Sequence, residues 1–176
     1  YSVHFQISGH DTLERLQKLT NSGARSLLLN TYVTGIDSLQ EIRKHSDLIL
    51  LSHPAFAGAF SANENSPVHP AFTFAEFIRA AGADISLFPS PYGKIGLAKE
   101  IVQEIFNRSF QQDAYWNINP IIPTPSAGIK PPHGEQAKLD FGNDFILNAG
   151  TAIFSNEFSI KQNVKEFRKY LYNDAE

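Results

Sequence analysis

The chain has 176 residues, 42% hydrophobic and 19% charged, enough for one domain with a sizeable core and too apolar to be disordered. A net charge of -3 leaves no basic footprint for nucleic acid, no apolar run approaches a membrane span, and no charged-then-apolar leader opens the sequence. Without cysteine, disulfides, thiolate metal sites and cysteine nucleophiles are excluded, which accords with a cytoplasmic protein.

The sequence alternates strands and helices. Tyr1 to Ile7 reads as a strand, with His4 as a structural residue inside it. Asp11 to Thr20 carries Leu13, Leu16 and Leu19 at helical spacing behind Asp11 as N-cap, and Asn21-Ser22-Gly23 ends it. Ser26 to Val33 is a buried strand, Ile36 to His45 a short helix, and Asp47 to Ser52 an almost continuously apolar strand ending in His53-Pro54. After an insertion over Ala55 to Pro70 come a helix from Ala71 to Ala81, a strand from Asp84 to Phe88, and a break at Pro89-Ser90-Pro91-Tyr92-Gly93-Lys94. Leu97 to Phe110 is an amphipathic helix and Ile118 to Ile122 a strand. Glu135 to Phe141 is a helix with Gly142 at its end, Phe145 to Leu147 a strand, and Ile160 to Tyr172 a final helix.

Six strand–helix units of this kind imply a parallel sheet covered by helices. Two architectures accommodate them: an open doubly wound sheet, or an eight-unit barrel lacking its first two units. No Gly-x-Gly-x-x-Gly follows the first strand. There is no methionine, even at position 1, and the chain opens on a strand already under way. Both observations favour an N-terminally truncated (β/α)8 barrel, with residues 1–176 its C-terminal part.

In either fold, chemistry gathers where strands end. Two strands end in small residues, at Pro125-Ser126-Ala127-Gly128 and at Asn148-Ala149-Gly150-Thr151. Such endings can turn several backbone N–H groups toward one anion, and the loops after the last two strands of a barrel are where phosphate is usually bound. His53 is a group for proton transfer or for holding a hydroxyl, or else a neutral histidine bonded at a loop start. Lys94 is a lysine that swings over a bound anion, or a solvated residue opening a helix. His10, His45, His69 and His133 read as surface residues. No group of carboxylates or histidines has metal-ligand spacing.

Five motifs, in order and at compatible spacing, carry a resemblance. They are Leu51-Ser52-His53-Pro54-Ala55-Phe56-Ala57-Gly58-Ala59, Ala80-Ala81-Gly82-Ala83-Asp84, Phe88-Pro89-Ser90-Pro91-Tyr92-Gly93-Lys94, Pro125-Ser126-Ala127-Gly128-Ile129 and Asn148-Ala149-Gly150. From Tyr1 to about Ala152 the chain resembles the catalytic domain of the RuBisCO superfamily, on its RuBisCO-like branch. The Phe-Pro-Ser-Pro-Tyr-Gly run looks like that of the diketo-methylthiopentyl-phosphate enolases of methionine salvage.

The resemblance implies a (β/α)8 TIM barrel of which strands 3 to 8 are present. It places His53 on the family's histidine after the fifth strand and Lys94 on its mobile-loop lysine. Ser126, Ala127 and Gly128 fall on the seventh-strand Ser-Gly-Gly segment, and Ala149, Gly150 and Thr151 on the phosphate-holding glycines. Pro54 stands where a carboxylase has an arginine for a second phosphate, which points to a substrate with one. The implied magnesium site uses a Lys-x-x-Asp-Glu segment of the second strand, so no metal ligand is expected here. The expectation is a magnesium-dependent enolase of a phosphorylated ketose-like compound, homodimeric, with no nucleic-acid or membrane partner. The alternatives are a ribulose-1,5-bisphosphate carboxylase and a non-catalytic binder of a phosphorylated metabolite. An opened barrel is also expected to associate when made alone.

Overall fold

The computed structural model describes residues 2–5 (backbone), 11–61, 66–93, 96–112, 117–155 and 158–172. Five strands stand side by side in chain order: β1 (Ser2–Phe5), β2 (Ser26–Leu29), β3 (Ile49–Ser52), β4 (Ile85–Pro89) and β5 (Ile122–Ser126). Every pairing is parallel, with Val3 beside Leu27, Leu27 beside Leu50, Leu51 beside Ile85 and Ile85 beside Ile122. A doubly wound sheet reverses its strand order at a switch point; this one runs 1-2-3-4-5 without reversal, as a barrel wall does.

Helices α1 (Thr12–Asn21), α2 (Thr31–Thr34), α3 (Ile36–His45), α4 (Gly58–Ser61), α5 (Ile78–Ala80), α6 (Lys99–Phe110), α7 (His133–Phe141), α8 (Gly150–Ile153) and α9 (Ile160–Tyr172) link and flank the strands. Alternation along the strands sends Leu27, Leu29 and Leu50 into a core with Leu16, Leu39, Ile42 and Ile78 of the helices. Phe88 packs with Phe74, Val102, Ile105 and Phe106 in a second cluster. The opposite face of the sheet is less covered: Ile49 is 48% exposed and Ile122 40%.

Several boundaries differ from the sequence reading, each for a physical reason. The strand expected over Ser26–Val33 stops at Leu29, because the Asn30 carbonyl accepts from the Val33 and Thr34 N–H groups and turns the chain into α2. The helix expected over Ala71–Ala81 is π-helical from Phe72 to Phe77 before α5, and its i to i+5 closure stacks Phe72 on Phe77 with centroids 5.7 Å apart. Asp11 makes no side-chain cap and lies 3.8 Å from Arg15 instead. Gly142, with φ of 86°, does end α7, its N–H meeting the Lys138 carbonyl.

The largest shift is at β5, expected over Ile118–Ile122 and found at Ile122–Ser126. Arg79, 8% exposed, holds the Asn119 and Ile118 carbonyls at 2.7 and 2.6 Å, and the Ile121 N–H donates to Ser109. That stretch is therefore tied to the helix layer. The strand begins where Ile122 N–H donates to Asp84. Pro123 and Pro125 fit inside β5 because in a parallel ladder their N–H side faces away from β4. Their carbonyls accept from Ile146 and Asn148, but no proline N–H can answer. The sixth strand, expected over Phe145–Leu147, is accordingly reduced to one bridge, Ser126 to Asn148.

At the opposite, N-terminal rim Arg43 joins the Gly82 and Leu48 carbonyls to Asp84, whose carboxylate also accepts from the Leu50 N–H. Arg79 bonds two further carbonyls, of Gln111 and Arg108. Arg79→Ala removes the shared partner of four part-buried carbonyls and empties a buried side-chain site, and we expect it to lower unfolding free energy by about 2 kcal/mol in a urea titration. Arg79→Lys should recover less than half of this, since an ammonium cannot span the four.

Candidate functional site

The carboxyl ends of β4 and β5 are joined to each other before any ligand is considered. The Ser90 N–H donates to the Ser126 carbonyl and the Ser90 hydroxyl to the Ala127 carbonyl, both at 2.7 Å, while the Ser126 hydroxyl donates to the Phe88 carbonyl at 3.1 Å. Ser90 is fully buried and Ser126 8% exposed, so both hydroxyls are committed to the frame. Beyond Ser126 the chain turns through two left-handed residues, Ala127 (φ 64°) and Gly128 (φ 73°). The alanine pays roughly 1–2 kcal/mol for this conformation. It is held there by Ser90 and by Gly93, at which a Cβ would stand 2.7 Å from the Ala127 carbonyl oxygen.

Facing this turn is the start of α8. Ala127, Gly128, Ile129, Asn148, Ala149, Gly150 and Thr151 enclose a concavity of about 230 Å³. Ala149 is buried and its carbonyl accepts from the Ala152 and Ile153 N–H groups, which closes the first turn. Gly150 and Thr151 contribute first-turn N–H groups, which no carbonyl within a helix can accept from. Gly150 has no neighbour within 4 Å of an added Cβ and no left-handed φ, so neither packing nor backbone conformation requires glycine there. Of the six residues expected to form the cradle, the fold brings Ala127, Gly128, Ala149, Gly150 and Thr151 around one space and sets Ser126 behind them.

His53 follows β3, its N–H donating to the Leu29 carbonyl. Leu50 and Ser52 point to the helices, so alternation directs His53 to the inner face with Ile49 and Leu51. Its Nδ1 accepts from the Ala55 N–H at 3.1 Å, which leaves the proton of a neutral ring on Nε2. Lys94 lies outside the described residues. Among the described residues no group of three or more His, Asp or Glu could hold a metal ion. No helix among them is long and apolar enough to cross a membrane.

Contacts that the motifs do not disclose lie behind the concavity. His133, expected at the surface, is half-buried at the start of α7; its ring lies 4.8 Å from that of Tyr92 and its Nδ1 accepts from the Lys130 N–H. Burial pushes its pKa down, the Lys130 charge adds to this, and a backbone hydrogen bond to Gly128 opposes both. The Tyr92 hydroxyl donates to Asp140, which also accepts from Lys99 and Gln136. Sequence distance hides these contacts, since Tyr92 and Asp140 are 48 residues apart.

No protein-family model matches the chain. It is 32% identical over 173 residues to a 2,3-diketo-5-methylthiopentyl-1-phosphate enolase of Exiguobacterium sibiricum, covering 97% of the chain and 43% of the relative. It is 34% identical over 170 residues to the protein of that name in Bacillus cereus, covering 96% and 41%. The chain thus spans about two fifths of the length of the curated relatives it matches. A RuBisCO-like protein of Alicyclobacillus acidocaldarius superposes with a TM-score of 0.88 at 30% identity, over 98% of the chain and 43% of that structure. The ribulose-1,5-bisphosphate carboxylase/oxygenase of Pyrococcus horikoshii, at 20% identity and a TM-score of 0.81 over 97% and 41%, shares the fold.

The shift at His133 gives a pH dependence. With the folded pKa below the ordinary 6.5, the unfolded chain takes up the proton first. The stability it contributes is complete above that value and lost as pH falls through the folded one. Thermal unfolding at a series of pH values should therefore show a smaller loss of Tm on going from about pH 7 to about pH 5 in His133→Gln than in the wild type.

Proposed function

We propose that the chain belongs to the RuBisCO-like branch of the RuBisCO superfamily, as its likeness to the enolases and to the RuBisCO-like structure supports, and that the protein is an enolase of a phosphorylated diketone, of the 2,3-diketo-5-methylthiopentyl-1-phosphate type. The observation that carries the reading is the space at Gly150. The fold makes no use of a missing side chain there, whereas an anion between α8 and the Ala127–Gly128 turn would need close backbone approach. N–H groups from the turn and from Gly150 and Thr151 hold the phosphate, with the Thr151 side chain at the rim. Pro54, in place of an arginine, suits a substrate with a single phosphate.

The reaction moves a proton from the carbon beside a carbonyl to the carbonyl oxygen, so that the C–H electron pair becomes the C=C bond of the enol. His53, whose Nδ1 accepts from the Ala55 N–H, is the group proposed to position a substrate oxygen or to move a proton. Lys94 is proposed as the cation of the loop after β4. The magnesium implied by the resemblance finds no donor set among the described residues. A homodimer belongs to the same proposal.

The test runs in D2O. With magnesium and the phosphorylated diketone, the protein should incorporate deuterium at the carbon next to the carbonyl, read by proton NMR. The 176 residues alone should bind phosphate without exchange. Gly150→Val should weaken phosphate binding by about tenfold at an unchanged Tm. Phosphate binding indifferent to magnesium, with no exchange, would leave a non-catalytic binder in place of the enolase.

A further inference from the structure

We infer that Tyr92 and Asp140 are positioning residues for the anion cradle. The inference rests on the reading of that concavity as a phosphate site, and names what sets its width. Neither side chain lines the space. Tyr92 lies between Ser90, which fixes the Ala127 carbonyl, and Gly93, which abuts the Ala127–Gly128 turn. Its ring packs on the cluster of Ile129, Ala149 and Phe167. Ile129 continues one wall of the cradle and Ala149 begins the other, so the cluster that this ring packs against includes a residue of each.

What holds that ring is Asp140 of α7. Its carboxylate, with the side chain 7% exposed, accepts from the Tyr92 hydroxyl at 3.0 Å, from Lys99 at 2.7 Å and from Gln136 at 2.8 Å. Tyr92 and Lys99 stand on either side of the loop between β4 and α6, so a single carboxylate pins both its ends. Burial raises the Asp140 pKa, but the three hydrogen bonds and the Lys99 charge outweigh it and hold the group below the ordinary carboxylate range. Burial and Asp140 push the Tyr92 hydroxyl up, so it stays a donor. Loss of this anchor frees Gly93 to lift from the turn. The left-handed Ala127 then relaxes, and the N–H groups lose their common aim before a ligand arrives.

Inorganic phosphate, titrated calorimetrically into the protein, tests this. Tyr92→Phe removes one oxygen and keeps the ring, and should weaken phosphate by roughly fivefold with Tm little changed. Asp140→Ala should do the same or slightly more, and the double variant should be no weaker than the weaker single. Lys99→Ala, which breaks the other and largely exposed tie of the loop to Asp140, should weaken phosphate less than Tyr92→Phe does. If the wild type binds no phosphate, the reading of the cradle itself fails. If it binds and Tyr92→Phe binds equally well, or loses Tm without losing affinity, the positioning role is overturned while the cradle stands. Should Asp140→Ala not fold, Tyr92→Phe decides alone.

Discussion

Gly93 and Gly128 meet backbone to backbone. A Cβ on Gly128 would stand 2.6 Å from the Gly93 Cα, a separation that real side chains do not tolerate. This contact ties the loop after β4 to the loop after β5, and the rest of the rim follows from it. Ser90 can reach Ala127 only at this approach, Ala127 keeps its costly left-handed conformation only while so held, and the concavity against α8 takes its shape from that turn. Two residues without side chains thus position several that have them.

The arginine ties and the concave turn lie at opposite ends of the strands, the division between stability and ligand faces that is usual for barrels. At the N-terminal ends, Arg43 and Asp84 tie β3 to β4 through main-chain groups, and Arg79 gathers four carbonyls of the segment leading to β5. At the carboxyl ends the bonds join one strand end and its loop to the next. The first set orders the sheet; the second leaves backbone N–H groups on the concave side.

The strands β2 to β4 were legible because Leu27-Leu28-Leu29 and Leu48 to Leu51 are apolar on both faces, the pattern of a covered parallel sheet. β5 was misplaced because Ile118 to Ile122 carries the stronger apolar signal, yet Arg79 and Ser109 hold that stretch on the helix side and the strand proper contains two prolines. The cradle could be read from its small residues at two strand ends. The Tyr92–Asp140 contact could not, since it joins a loop to a helix across 48 residues with no shared periodicity, and a half-buried His133 looks no different in sequence from an exposed one.

The two prolines of β5 have a consequence for how the protein survives its own synthesis. Until the segment carrying Asn148 docks, the outer edge of β5 is bare. An ordinary bare strand offers donors and acceptors in alternation and invites a strand from another molecule to add to it. With Pro123 and Pro125 at the outward positions, this edge can accept but cannot donate, and an intruding strand would find half its ladder missing. The segment of the same chain meets the same lack of donors and holds through two hydrogen bonds, from the Ile146 and Asn148 N–H groups to the two proline carbonyls. An edge with acceptors and no proline donors disfavours the addition of a strand from another molecule.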